Sequence, residues 1–301
     1  MYKSFYGFKE KPFSLLPDPG FLFLSQKHRM ALAMLEYGMM NQAGFTVITG
    51  EIGSGKTTLI RRLLGQIAQG QEMSVGLVSN THQSFGELLQ WVLLAFKLDY
   101  RGKEKVELYQ CLAEFMEREY VQGRRTVLII DEAQNLSTED LEELRMLSNI
   151  NADKDQILQL VLVGQPELRE NLRRPELTQF AQRIAIDYHL GALELQETCE
   201  YIRHRLVMSG GDPNLFEATA CVAVYYYTRG TPRLINVLCD TALVCGFAEQ
   251  AEKIDADLIH DVVRDKSVGG ILPVWKEEGA EQEVVLDIHA AKKRSTNSGL
   301  E

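Results

Sequence analysis

The 301-residue sequence has no run of eighteen consecutive apolar residues, so it contains no candidate transmembrane helix. Lysines, prolines and acidic residues interrupt its first twenty positions, which excludes a secretory signal peptide there. Its five cysteines are an odd number and include no C-x-x-C pair, so neither a disulfide framework nor a cysteine-based metal site is indicated. We therefore expect a cytosolic protein with reduced, mostly buried thiols.

Basic side chains are also in deficit, because 32 Lys and Arg stand against 42 Asp and Glu, for a net charge of −10. A protein that wraps nucleic acid needs a broad basic face to neutralise phosphates, so the acidic total disfavours that class. The distribution is uneven, however. Residues 1–70 hold 8 basic and 4 acidic side chains and are the only net-basic part. A local basic strip on the N-terminal third therefore stays open.

Short apolar, β-branched runs alternate with stretches of helical periodicity over the first 190 residues. This alternation predicts an α/β fold with a parallel five-stranded sheet flanked by helices. Ser25 is a candidate cap for a helix over 26–42, which follows an ordered, extended arm over 1–24. The predicted strands cover 43–50, 74–80, 126–132, 157–164 and 183–190, and the helices between them lie near 56–69, 84–97, 104–122 and 137–150.

Beyond about residue 190 the strand pattern stops. Four helical segments follow, separated by turns that contain Gly, Pro or Asn. We expect an α/β domain over 1–190 that includes the arm, a small all-α lid domain over 191–265, and a flexible tail over 266–301 in which glycine, charged and small residues dominate.

One segment matches a phosphate-binding motif. Residues 50–57, GEIGSGKT, fit G-x-x-x-x-G-K-[ST] between a predicted strand and a predicted helix. Glycines let the backbone wrap closely around phosphate oxygens, with its N–H groups pointing inward. The lysine reaches the β- and γ-phosphates, and the threonine hydroxyl is a ligand for Mg²⁺. The predicted nucleotide-binding residues here are Gly50, Glu51, Ile52, Gly53, Ser54, Gly55, Lys56, Thr57 and Thr58.

A second buried strand, TVLIIDE, ends in the carboxylates that such a site requires. Asp131 is predicted to hold Mg²⁺ together with Thr57, and Glu132 to orient and deprotonate the attacking water. A nucleotide switch needs no carboxylate directly after the metal ligand, so Glu132 favours hydrolysis of ATP.

Three further polar residues are candidates for contact with the phosphates. Gln165 ends the strand QLVLVG, where its amide would reach the γ-phosphate or the attacking water, although a turn before Pro166 also explains it. Arg183 opens the last strand, and Arg233 opens a helix of the second domain. Arg173 and Arg174 compete with Arg183, but a solvated helix end accounts for both.

This order of motifs resembles the AAA+ ATPases, and more narrowly the ExeA (GspA) type, the secretion- and pilus-associated ATPases that include MshM. Members carry phrases much like Phe5-Tyr6-Gly7-Phe8, Lys11-Pro12-Phe13 and Pro17-Asp18-Pro19, a following helix with a His like His28, and the strings GEIGSGKTT, DEAQNL, VGQPEL and GTPRLIN. The resemblance covers about residues 1–265. Longer members continue into a membrane span and a peptidoglycan-binding domain. Neither is present after residue 265, so we expect the shorter form.

The resemblance implies a role for each motif. Lys56 and Thr57 are similar to Walker A residues, and Asp131 and Glu132 to Walker B residues. Gln165 stands where sensor 1 is expected.

Three roles implied by the resemblance lie outside these motifs. Arg233 stands at the sensor 2 position, and Arg183 is similar in position to an arginine finger that acts in trans. An isolated subunit would then hydrolyse ATP slowly, and oligomerisation would switch it on. Phe13 and Leu15 of the arm would line the adenine pocket, although simple hydrophobic packing explains them equally well.

The leading hypothesis is a Mg²⁺-dependent AAA+ ATPase whose homo-oligomerisation drives assembly of a bacterial envelope secretion, pilus or exopolysaccharide-export system. It would be cytoplasmic, or peripheral at the inner membrane through partner proteins. The alternative is a DNA-transaction ATPase, similar to the transposition helper TniB or to replication initiators. The net-basic N-terminal third supports it faintly, and no DNA-binding module follows the lid. A third reading, a non-hydrolysing ATP-gated scaffold, is disfavoured by Glu132.

Overall fold

A computed structural model describes residues 1–16, 18–70, 73–79, 86–152 and 155–269. Contacts within the chain divide it into two compact units. The α/β unit is formed by residues 26–52 and 56–191. The helical unit is formed by residues 1–25, 53–55 and the described chain from residue 192 onward.

The α/β unit contains a sheet of five parallel strands, as the sequence predicts. Numbered along the chain, the strands are β1 (Phe45–Gly50), β2 (Met73–Val78), β3 (Arg125–Ile130), β4 (Asn151–Ala152), β5 (Asp155–Gln156), β6 (Leu158–Gly164) and β7 (Ile184–Leu190). The large sheet has the order β2-β3-β6-β1-β7. The two short strands β4 and β5 pair antiparallel and were not predicted. Residue 80, the last of the predicted second strand, lies outside the described residues.

Apolar cores on both faces explain why the central strands read as continuous apolar runs. In β3, Leu128 and Ile130 join one core, whereas Val127 and Ile129 join the other. Successive side chains of a strand point to opposite faces, so both alternating sets must be apolar when helices cover both sides.

Twelve helices occur in the described part of the chain, and they include the nine that the sequence predicts. Helix α6 shows how a local sequence sets a boundary: the Ser137 hydroxyl accepts from the Asp140 N–H at 3.1 Å, and the Asp140 carboxylate accepts from the Ser137 N–H at 3.0 Å. The helices are α1 (Tyr2–Phe5), α2 (Gln26–Met40), α3 (Lys56–Gly70), α4 (Leu88–Ala95), α5 (Lys105–Val121), α6 (Thr138–Leu147), α7 (Pro166–Leu172), α8 (Thr178–Ala181), α9 (Leu195–Met208), α10 (Ala218–Thr228), α11 (Pro232–Ala248) and α12 (Ala256–Gly269).

The helical unit corrects the predicted arm. Residues 1–24 were expected to be extended and to belong with the sheet. Instead they begin with α1, and Tyr2, Phe8 and Phe13 are buried in the core of α9–α12. These aromatic rings fill a core that the four helices alone would leave incomplete. Helix α12 extends to Gly269, beyond the predicted boundary at 265, and the remainder of the predicted tail, 270–301, lies outside the described residues.

Arg205 of α9 ties the arm to this core and is only 7% exposed. Its Nε donates to the Pro12 carbonyl at 2.5 Å and its Nη2 to the Ser14 carbonyl at 3.2 Å. The guanidinium also lies 4.8 Å from the centre of the Phe21 ring. One buried cation therefore holds three points of the arm.

No helix in the described part of the chain is long and apolar enough to cross a membrane.

Candidate functional site

The phosphate-binding motif occupies the turn between β1 and α3. Strand β1 ends at Gly50 and α3 begins at Lys56, which is the strand–loop–helix context that the motif requires. Gly53 and Gly55 have φ values of +79° and +102°, a region that residues with a Cβ rarely adopt. The glycines of the motif are thus needed for the path of the backbone.

Lys56 is folded back into this loop. Its Nζ donates to the Gly50 carbonyl at 2.6 Å and to the Glu51 carbonyl at 2.9 Å, and the residue is only 7% exposed. Burial lowers the pKa of the Lys56 ammonium, and the nearby carboxylates of Glu132 and Asp131 oppose that shift.

Thr57 and Asp131, the two predicted Mg²⁺ ligands, lie in direct contact. The Thr57 hydroxyl donates to Asp131 Oδ2 at 2.9 Å, and Asp131 Oδ1 accepts from the Glu132 N–H at 3.0 Å. Burial raises the pKa of Asp131, and these two hydrogen bonds oppose the shift. A hydroxyl and a carboxylate are hard oxygen ligands, so this donor pair fits Mg²⁺.

Glu132 follows β3 in a left-handed backbone conformation, with φ +56° and ψ +36°. For a residue with a Cβ this conformation costs about 1–2 kcal/mol. Its Oε2 accepts two amide hydrogen bonds, from Gln134 Nε2 at 2.7 Å and from Gln165 Nε2 at 3.2 Å. The predicted strand-tip amide therefore contacts the predicted general base directly.

Gln134 is a site residue that the sequence analysis missed. Besides its bond to Glu132, its Oε1 accepts from the Gln165 backbone N–H at 3.0 Å. A Cβ added at Gly164 would lie 2.9 Å from that Oε1 and 3.2 Å from the Gln134 backbone nitrogen, so a side chain at the end of β6 would displace the Gln134 amide. The available signal was the string DEAQ, which puts an amide two positions after the predicted base.

Arg183 does not join this cluster. It precedes β7, whose Ile184 pairs with Phe45, whereas the phosphate-binding turn follows Gly50, which pairs with Leu190. Because the strands are parallel, these positions lie at opposite ends of the strands, about 20 Å apart at roughly 3.3 Å per residue.

At that end of the strands, the Arg183 guanidinium forms hydrogen bonds with the residues that follow α6. It donates to Ser148 Oγ and to Asn149 Oδ1, both at 2.6 Å. The competing residues Arg173 and Arg174 are exposed at the end of α7.

Arg233 and Phe13 are both in the helical unit, which also contains residues 53–55. The Arg233 N–H donates to the Gly53 carbonyl at 3.2 Å, and a Cβ on Gly53 would lie 2.3 Å from the Arg233 Cβ. Phe13 is 2% exposed and packs edge-on against Phe216, whereas Leu15 is exposed. Packing therefore accounts for Phe13, and its contact with adenine stays a prediction.

The chain has the fold of the AAA-type P-loop NTPases, and residues 39–172 match the sequence profile of the AAA domain. Among solved structures the fold is similar to that of the ORC2 protein of Aeropyrum pernix, with a TM-score of 0.66 and 19% identity over 92% of this chain and 75% of that chain. Cdc6p from Pyrobaculum aerophilum gives a TM-score of 0.65 with 14% identity over 84% and 70% of the two chains. The Aeropyrum pernix ORC1 protein, solved in complex with DNA, gives 0.60 with 15% identity over 85% and 69%.

In sequence, the chain is related to General secretion pathway protein A of Aeromonas hydrophila. The two are 39% identical over 255 residues, which make up 84% of this chain and 46% of that protein. The chain thus spans about half the length of this relative. The predicted fold and the predicted resemblance to General secretion pathway protein A are both confirmed.

Proposed function

We propose that this protein binds ATP with Mg²⁺ in the loop formed by residues 50–58, hydrolyses it, and uses oligomerisation to drive assembly of a bacterial envelope system. The observation that carries the proposal is the 2.9 Å contact between the Thr57 hydroxyl and Asp131. It joins the phosphate-binding loop to the strand that also bears Glu132. Such a pair is of use to a protein that binds a metal–phosphate complex.

The loop residues bind and neutralise phosphate. On ATP binding, the Lys56 ammonium exchanges the carbonyls of Gly50 and Glu51 for phosphate oxygens, and the loop N–H groups donate to the same anion. Thr57 and Asp131 would hold Mg²⁺, which when bound supplies positive charge against the phosphate oxygens. The burial that raises the pKa of Asp131 leaves its carboxylate poorly solvated and ready to pair with a cation.

Glu132 orients a water molecule and accepts its proton, a role that contributes roughly 10²–10⁴ in rate for a positioned general base. Gln165 is in contact with Glu132, so its amide can serve both the carboxylate and the γ-phosphate. The backbone N–H of Arg233 donates to the carbonyl of Gly53, a residue of the phosphate-binding motif, which supports a contact of the Arg233 side chain with phosphate.

Calorimetric titration with ATP and a phosphate-release assay test this function. Lys56→Ala should abolish binding, because the phosphate loses its only cation within the loop. Lys105→Ala, which removes an exposed lysine paired with Glu143, is the control and should bind normally. Unchanged ATP affinity in Lys56→Ala contradicts the loop assignment. Glu132→Gln should bind ATP without turnover, and near-normal turnover removes Glu132 from the mechanism.

Arg183 would complete the site of a second copy of the chain. Its position at the end of the strands opposite its own phosphate-binding turn supports action in trans. An arginine supplied in this way contributes about 10³–10⁵ in rate, so the rate per subunit should rise with protein concentration.

Kinship with General secretion pathway protein A supports an envelope system as the destination, with the protein acting from the cytoplasmic side through an envelope partner. The alternative, a DNA-transaction ATPase, has support from the net-basic residues 1–70. A gel shift with duplex DNA separates the two. Binding that weakens steeply as salt rises would favour the alternative, because phosphate-driven affinity depends on counterion release.

A further inference from the structure

We propose that Gln134 is a positioning residue for hydrolysis. It holds the Glu132 carboxylate in place when the Gln165 side chain gives up its hydrogen bond to that carboxylate and donates to the nucleotide instead. The inference rests on the proposed ATPase function and adds to it a regulated step at the same site. It starts from the two hydrogen bonds that a single amide makes in opposite directions.

The Gln134 amide is used at both ends. Its Nε2 donates to Glu132 Oε2 at 2.7 Å, and its Oε1 accepts from the Gln165 backbone N–H at 3.0 Å. Flipping the amide would set a donor against a donor and an acceptor against an acceptor, so only one orientation is allowed. The residue thereby links the ends of β3 and β6, which are neighbours in the sheet.

The surrounding backbone is shaped around this amide. Gly164 leaves the space that Gln134 Oε1 occupies, since a Cβ there would approach to 2.9 Å. Glu132 adopts a left-handed conformation that costs free energy and directs its side chain to the two amides. Two separate features of the chain, a glycine and a strained glutamate, thus accommodate one contact.

The two amides that reach Glu132 are not equivalent. The bond from Gln134 is 2.7 Å long, whereas that from Gln165 is 3.2 Å long. Moreover, the backbone of Gln165 stays tied to Gln134 wherever its side chain points. When a γ-phosphate offers a charged acceptor, the longer bond is the one to exchange, because hydrogen bonds to ionised groups are the stronger ones. Gln134 then keeps Glu132 oriented.

Gln134→Glu tests the bond to Glu132 selectively. The new carboxylate can still accept from the Gln165 N–H, but it replaces a donor with a like charge facing Glu132. We expect kcat to fall about 10–100-fold, a fraction of the rate that a positioned base supplies, while the Kd for ATP stays within about threefold. The control is Gln110→Glu, the same change opposite Glu114 on the exposed face of α5, which should leave kcat unaltered.

A double variant separates positioning from simple loss of folding. In Glu132→Gln/Gln134→Glu the amide stands at position 132 and the carboxylate at position 134. The direct hydrogen bond is therefore restored, with residue 132 as the donor and residue 134 as the acceptor. Its unfolding temperature should recover to at least that of Glu132→Gln, while its turnover stays as low as in Glu132→Gln alone.

Three outcomes would overturn the inference. An unaltered kcat in Gln134→Glu, with the wild type active, overturns this inference alone. A double variant that melts as low as Gln134→Glu excludes the direct contact. A wild-type protein that hydrolyses no ATP overturns the proposed function and this inference together.

Discussion

Replacing Arg205 by methionine should loosen the N-terminal arm from the helical unit. Methionine keeps an unbranched chain of similar reach but has no donors and no charge. The change removes the bonds to the carbonyls of Pro12 and Ser14 and the contact with the Phe21 ring. The Tyr201 hydroxyl, 3.3 Å from Nη1, loses one contact but keeps its bond to Asn236.

The expected loss of stability follows from these contacts. A buried carbonyl left without a donor costs about 1–3 kcal/mol, and the partly exposed Ser14 carbonyl falls at the low end of that range. The cation–π contact adds about 0.5–2 kcal/mol. Burying a neutral side chain avoids the desolvation of a cation, which offsets part of the sum. We expect a net destabilisation of about 2–4 kcal/mol.

Thermal unfolding and limited trypsin digestion of the full chain measure this effect. A loss of this size lowers the unfolding temperature of the helical unit by roughly 5–15 °C. It should also speed cleavage after Lys9, which lies in the arm. Arg203→Met is the matched control, because Arg203 is exposed on the same helix. If the two variants unfold and digest alike, Arg205 does not hold the arm.

Three further substitutions have defined outcomes. Asp131→Asn should raise the unfolding temperature of the nucleotide-free protein while abolishing Mg²⁺-dependent hydrolysis. Because burial raises the pKa of Asp131, its ionisation costs stability increasingly as the pH rises above the ordinary pKa of about 3.9, and the cost is complete above the raised value. The gain in Asp131→Asn should therefore shrink as the pH falls toward about 3.9. Gly230→Ala should destabilise the helical unit by about 3–5 kcal/mol in urea unfolding, because its Cβ would lie 1.9 Å from the Leu193 carbonyl oxygen. Gly102→Ala has a similar φ in open space and should cost only about 1 kcal/mol. Arg183→Ala should remove the dependence of ATPase rate on protein concentration, whereas Arg173→Ala should keep it; the reverse result would transfer the role in trans to Arg173.

The sequence predicts the strands of the sheet well because each strand can be recognised from its own consecutive residues. Runs such as VLII are apolar at every position since both faces of β3 are covered, and their parallel direction follows from the alternation with helices. The phosphate-binding loop is equally local, because its glycines and its lysine lie within eight consecutive residues.

What the sequence does not predict depends on contacts between distant segments. The role of Gln134 depends on Gln165, thirty-one positions away, and no periodicity relates the two. The arm was assigned to the nearer domain because its partners on α9 lie beyond residue 195.

The arm can be buried only late in the synthesis of the chain. Residues 1–25 are synthesised long before α9–α12, and the helices that bury Tyr2, Phe8 and Phe13 are complete only when residue 269 has been added. At roughly 5–20 residues per second, these aromatic side chains wait about 12–50 s for their core. Throughout that interval they are exposed to chaperones, proteases and other nascent chains. A deletion of residues 1–25 would therefore disturb the helical unit rather than the sheet that follows these residues in sequence.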